Sequence, residues 1–128
     1  MPTYHDNDYG FANCVLIASS LESANTDALA NRLLEAHWRD DADLADAATL
    51  SRLGSEAGVD AARLLAVATS AEVQAIYRSN TAEAIERSVF GLPTYFVDGD
   101  MFYGQDHLEL VARALEKPFS GTWPRPIA

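Results

Sequence analysis

The chain has little of what redox, metal and nucleic-acid chemistry needs. Cys14 is its single cysteine, so an internal disulfide, a CxxC redox pair and a cysteine-based zinc centre are excluded. Within the apolar run Phe11-Ala12-Asn13-Cys14-Val15-Leu16-Ile17 the thiol reads as a small buried hydrophobe rather than a nucleophile. His5, His37 and His107 stand far apart, with neither HExxH nor paired-ligand spacing, and specify no transition metal. Basic residues are scarce as well. Lys117 is the one lysine, and 9 Lys+Arg face 19 Asp+Glu for a net charge of -10. Such a chain repels phosphate backbones and anionic headgroups, so neither nucleic acid nor a membrane surface is an expected partner. No apolar run approaches the roughly 20 residues of a membrane span, and His5, Asp6, Asn7 and Asp8 stand where a signal peptide would carry its basic and apolar segments. The expected location is the cytoplasm.

What remains is an ordinary globular composition: 128 residues, 48% hydrophobic and 22% charged. A chain of this length buries roughly two-thirds of its unfolded surface, enough for one core without a staple. Residues 1–128 are therefore expected to form a single compact unit, with about 11–88 helical, 89–117 holding a hairpin and helix, and 118–128 an extended, proline-rich tail. Alanine-rich sequence biases the first two-thirds towards helix. Asp27 is a candidate cap for a helix through about Trp38, with Leu29, Leu33 and His37 on one stripe and Leu34 and Trp38 beside it. Asp46, Asp60 and Ser70 are further candidate caps, the last for a helix from Ala71 to about Ser88 that turns Val73, Ile76, Tyr77, Ala84 and Ile85 inward. Between the first two of these helices lies the acidic turn Arg39-Asp40-Asp41-Ala42-Asp43. Running on from it, Asp41-Ala42-Asp43-Leu44-Ala45-Asp46 lacks the glycine and third ligand position of a calcium loop, so solvated capping carboxylates are the better account.

At Val89 the character changes. Thr94-Tyr95-Phe96-Val97 and Met101-Phe102-Tyr103 are β-branched or aromatic and flank the turn signal Asp98-Gly99, the pattern of a β-hairpin. A helix with Leu108, Val111 and Leu115 on one face follows, stopped by Lys117-Pro118. Two local features could carry function. Pro93 opens a strand without giving up a ladder donor, leaving the Leu92 backbone free to pair; in trans it is simply an edge-strand proline, and in cis it exposes that backbone in a turn. Gly104-Gln105-Asp106 precedes a helix, where unpaired amides and the dipole favour a carboxylate while Asp106 could meet an ammonium group. The plainer alternative makes Asp106 only the helix cap.

Taken together, the segment from Val89 to Asp106, with Gly91-Leu92-Pro93-Thr94-Tyr95-Phe96-Val97-Asp98-Gly99 at its centre, resembles the C-terminal signature of the 2-hydroxychromene-2-carboxylate isomerase family. That family belongs to the DsbA-like thioredoxin group and is close to kappa-class glutathione transferases. The stretch Asn80-Thr81-Ala82-Glu83-Ala84-Ile85-Glu86-Arg87 looks like its last insertion helix, and Ala36-His37-Trp38 through Leu50 looks like its inter-helix turn. The resemblance covers about Phe11 to Pro124. It implies an α/β, mostly helical fold: a helical insertion domain plus the C-terminal hairpin and helix of a thioredoxin-like fold. It implies glutathione as cofactor, with a cis Pro93, the Leu92 backbone pairing with the cysteinyl part, and Gly104, Gln105 and Asp106 taking the γ-glutamyl headgroup. Asn13 matches a family asparagine near the substrate pocket, and the substrate class is a small aromatic molecule.

The same resemblance places a thiol-activating residue on a strand-helix-strand that has no counterpart here, so the catalytic residue is unknown. A fragment, a shortened copy or a repurposed descendant is the expectation. Glutathione-dependent isomerisation is the leading function. The alternatives are a catalytically silent glutathione- or peptide-binding module and a kappa-class glutathione transferase-like protein. Ser19, Ser20 and Tyr103 are the residues to suspect if the chain activates a thiol by itself. The edge Thr94–Val97, free of lysine and internal proline, further suggests a homodimer or higher oligomer.

Overall fold

The computed structural model describes residues 1–119, so the expected tail lies outside the described residues except for Pro118 and Phe119. Two compact units are present, Met1–Glu83 and the chain from Ala84 onward. The first is built from α1 (Gly10–Leu21), α2 (Thr26–Trp38), α3 (Ala47–Glu56), α4 (Ala61–Ala68) and most of α5 (Ala71–Glu86). The second holds β1 (Thr94–Val97), β2 (Asp100–Tyr103), a 3-10 turn at Gln105–His107 and α6 (Leu108–Glu116). The architecture is α/β and mostly helical, and its sheet has two antiparallel strands.

Short polar side chains start the helices by accepting from otherwise orphaned amides. Asp46 accepts from Thr49 N at 2.8 Å, Asp60 from Arg63 N at 3.1 Å, and Ser70 Oγ from Val73 N at 3.3 Å. At α2 the cap is Asn25, which accepts from Ala28 N at 3.1 Å, while the expected cap, Asp27, sits inside the first turn. Either residue has the chemistry. The backbone decides, because only Asn25 is non-helical.

Inward faces of these helices meet in one core: Ala12, Cys14, Val15 and Ala18 from α1, Leu29 and Leu33 from α2, Leu50 and Leu53 from α3, Leu64 and Ala68 from α4, and Val73 from α5. Its margins depart from the apolar pattern in two places. Leu34 and Trp38 are exposed rather than buried beside the α2 stripe. The buried face of α2 is narrower than the apolar pattern, and the Trp38 ring instead packs edge-on against His37 at 4.8 Å between centroids. Ile85 is also exposed, and Val73 is the buried residue of α5.

The acidic turn after α2 works as a clamp. Asp41 accepts from Thr3 N and Thr3 Oγ1, each at 2.6 Å, and Asp43 accepts from Asn7 Nδ2 at 2.9 Å and Ala45 N at 2.9 Å. Between these contacts His5 Nδ1 meets His37 Nε2 at 3.0 Å. Arg32 reaches Glu56 at 2.7 Å and Asp40 at 3.0 Å, tying α2 to α3 and to the same turn. Among the described residues no helix is long and apolar enough to cross a membrane.

In the second unit, Asp98 (φ +49°) and Gly99 (φ +89°) both take left-handed backbone, the two-residue turn whose twist matches paired strands. Register follows, from Val97 opposite Asp100 to Thr94 opposite Tyr103. Helix α6 packs on β1. Yet Ala114 is its one buried residue, and Leu108, Leu110 and Leu115 remain exposed.

Candidate functional site

The base of the hairpin gathers the two segments singled out in the sequence. The Leu92–Pro93 peptide bond is cis. One residue beyond the strand pairing, Gly104 N donates to Pro93 O at 3.0 Å, so segments a dozen residues apart in the chain become neighbours across the hairpin. Thr94 Oγ1 donates to Gly91 O at 2.6 Å and fixes the approach to the strand. Leu92 is 85% exposed, and its backbone makes no hydrogen bond among the described residues.

Two glycines make this arrangement possible. Gly104 has φ +97° and ψ 148°, a conformation that L side chains avoid, and a Cβ there would collide with Asp106 Oδ1. The carboxylate of Asp106 therefore folds back towards Gly104 through space that only glycine leaves. At Gly91 a Cβ would lie 2.6 Å from Tyr103 Cε2, so the main chain there rests directly on the ring. Phe90 packs against the same ring, with centroids 4.8 Å apart. Gly91 opens the Gly91-Leu92-Pro93 feature singled out in the sequence, whereas Phe90 was not a sequence candidate; its role is visible only through this packing.

Asp106 does not cap the helix. Neither Gly104, at the start of the 3-10 turn, nor His107, at the start of α6, is replaced by an Asp106 side-chain cap, and no side-chain cap bond is made at either start. Gln105 and Asp106 are exposed, with no side-chain partner among the described residues. Their free polar atoms border the amides of a helix start, an arrangement that can meet a carboxylate and an ammonium group at once.

The remaining candidates are Asn13, Ser19 and Ser20 in the first unit and Tyr103 at the hairpin base. Asn13 is exposed on α1, in the first unit, whereas Leu92, Pro93, Gly104, Gln105 and Asp106 are all in the second. Cys14, beside it, is buried and accepts a 3.3 Å contact from Gln74 Nε2, which also donates to Ala68 O at 3.0 Å. Ser19 is fully buried, donating to Leu16 O at 2.7 Å and meeting Thr26 Oγ1 at 2.9 Å, so its hydroxyl serves the α1–α2 connection. Ser20 and Tyr103 are exposed.

The fold and this hairpin base agree with the family assignment. The description of the DsbA-like thioredoxin domain matches residues 2–116, and the chain belongs to that family. Among individual proteins, a 2-hydroxychromene-2-carboxylate isomerase from Sphingobium xenophagum is 34% identical over 74 residues, covering 58% of this chain and 38% of that protein. The matched part thus spans well under half of that relative's length.

Proposed function

We propose that the hairpin unit is the glutathione-holding part of an isomerase of the 2-hydroxychromene-2-carboxylate type, serving a small aromatic substrate. The observation that carries this reading is the Gly104 N to Pro93 O bond, which sets the free Leu92 backbone beside the free polar atoms of Gln105 and Asp106. An extended cysteinyl segment would pair with Leu92 as an added strand. A γ-glutamyl headgroup, carrying one carboxylate and one ammonium, would meet the helix-start amides, Gln105 and Asp106. The local fit is good: Gly104 leaves room for the Asp106 carboxylate, and neither polar side chain must break an existing bond to engage a ligand.

Bound glutathione supplies a thiol nucleophile. What this chain contributes is position. The hairpin fixes the Leu92 main chain, the Tyr103 ring backs Gly91, and Asp106 orients the headgroup. Calorimetric titration with glutathione tests the reading. Binding is expected, and Asp106→Ala should weaken it about tenfold or more, the ratio that about 1.4 kcal/mol of charge-assisted hydrogen bonding supplies. No heat of binding, or an Asp106→Ala variant that binds as tightly as the parent, refutes it.

A second reading rests on the same free backbone at Leu92, which accepts any extended peptide. A silent binding module would take a cysteine-containing tripeptide lacking the γ-glutamyl headgroup as tightly as glutathione, and would be indifferent to Asp106→Ala.

A further inference from the structure

The bend that leads into β1 is closed by a side chain instead of the main chain. Among the described residues Thr94 N makes no hydrogen bond to Gly91 O; the half-buried Thr94 hydroxyl donates to it instead, at 2.6 Å. Threonine is stiff about its first side-chain bond, so the hydroxyl is placed by the strand that carries it. Thr94 stands opposite Tyr103 in the β1–β2 register, and through it the hairpin reaches back to hold Gly91. Glycine needs such a hold more than any other residue, because its backbone is the freest. A second restraint is the Tyr103 ring, whose Cε2 would lie 2.6 Å from a Cβ at Gly91.

What this hold governs is the peptide group between Gly91 and Leu92, which is trans. In a planar trans peptide the carbonyl and the N–H that follows it point in opposite directions. With Gly91 O turned to Thr94, the Leu92 N–H faces away from that bond, and it meets no acceptor among the described residues. We infer that Thr94 is a positioning residue of the glutathione site: by holding Gly91 O, its hydroxyl aims the Leu92 N–H at the cysteinyl carbonyl of the bound tripeptide. This rests on the reading of the hairpin unit as a glutathione holder. Thr94 gives its hydroxyl proton to Gly91 and none to the ligand. Its effect is to fix in advance a peptide plane that binding would otherwise have to immobilise. Valine in its place keeps the β-branched shape and loses the proton that Gly91 O accepts, whereas serine keeps the proton.

Thr94→Val and Thr94→Ser, made in the 128-residue chain, test the role. In calorimetric titration Thr94→Val should bind glutathione about fivefold or more weakly than the parent, the scale of one lost hydrogen bond, and Thr94→Ser should recover the parent's affinity. At saturation the Leu92 amide proton should move downfield in the parent and in Thr94→Ser, and by less in Thr94→Val. Loss of stability alone does not produce that signature. The Gly104 N–H, bonded to Pro93 O, is the control: its exchange without ligand should be the same in all three proteins, because the hairpin base stays closed. The inference alone is overturned if the parent binds glutathione and Thr94→Val binds it as tightly, or if serine fails to rescue. It is overturned also if Gly104 exchange quickens in Thr94→Val, which would make the hydroxyl a brace of the hairpin and not an aim for Leu92. A parent that binds no glutathione refutes the function proposed above, and this inference with it.

Discussion

The two units solve the same problem differently. The helical unit buries Leu29, Leu50, Leu53, Leu64 and Val73 almost completely, whereas among the described residues from Ala84 on the one buried apolar residue is Ala114. Both units contain amphipathic helices. Only the first converts its apolar faces into a closed core; the second leaves Phe90, Leu92, Leu108, Leu110 and Leu115 exposed. Surface left open in this way is surface available to a ligand or another chain. Stability should therefore be concentrated in the first unit and recognition in the second.

The sharpest test of that division is Leu53→Ala. The side chain is fully buried, and its truncation should cost about 2–5 kcal/mol in urea unfolding followed by far-ultraviolet dichroism. A cost below 1 kcal/mol would show that the helical core is loose. Next in size is Gly104→Ala, which forces an alanine into a left-handed backbone and into Asp106. A local cost of about 1–3 kcal/mol is expected, read as faster amide exchange across β1 and β2 while the helical unit keeps its protection. Uniform destabilisation of both units would break the comparison.

Asp46→Ala removes the α3 cap and should cost about 0.5–2 kcal/mol in thermal unfolding; Asp46→Asn, which can still accept from Thr49 N, should recover most of it. Acid provides a fourth test. Hydrogen bonds from Arg39 and Arg32 hold Asp40 down to about 2, and Arg32 and Arg52 lower Glu56 while Thr49 lowers Asp46. A carboxylate with a depressed value in the fold stabilises above its unfolded value and loses that contribution as pH falls through the folded one. The helical unit should thus be steady down to about pH 4 and weaken from there to about pH 2, and added salt should blunt the effect because these pairs are exposed. The smallest effect is expected at Leu115→Ala in α6. With its side chain 71% exposed, stability should change by less than about 0.5 kcal/mol. A larger loss would mean that α6 is covered in solution.

Much of this was legible in the sequence, because it depends on short-range chemistry. Asp98-Gly99 between two aromatic runs specifies its hairpin, and Asp46, Asp60 and Ser70 cap the helices they precede. Asn25 and Asp27 show the limit. Both side chains can cap, and only the backbone geometry of one residue separates them. Trp38 and Ile85 fail for another reason: apolar periodicity shows which face could be buried, not whether a neighbour arrives to bury it. For the site, Gly104, Gln105 and Asp106 stood out as a helix start, but their placement beside Pro93 depends on register. Nothing in the local sequence singles out Asp100, because a charged residue opening a strand ordinarily faces water; that its Oδ2 is shielded shows only in the folded chain.

The bond from Gly104 N to Pro93 O also makes one proton an observer of the whole hairpin base. That amide is protected only while both strands are zipped to their last pair, so its exchange rate measures how often the base opens. It adjoins Gln105 on one side and, across the bond, Leu92 on the other. A ligand that clamps either segment slows its exchange, and one that binds away from the hairpin base leaves that clock running at its former pace.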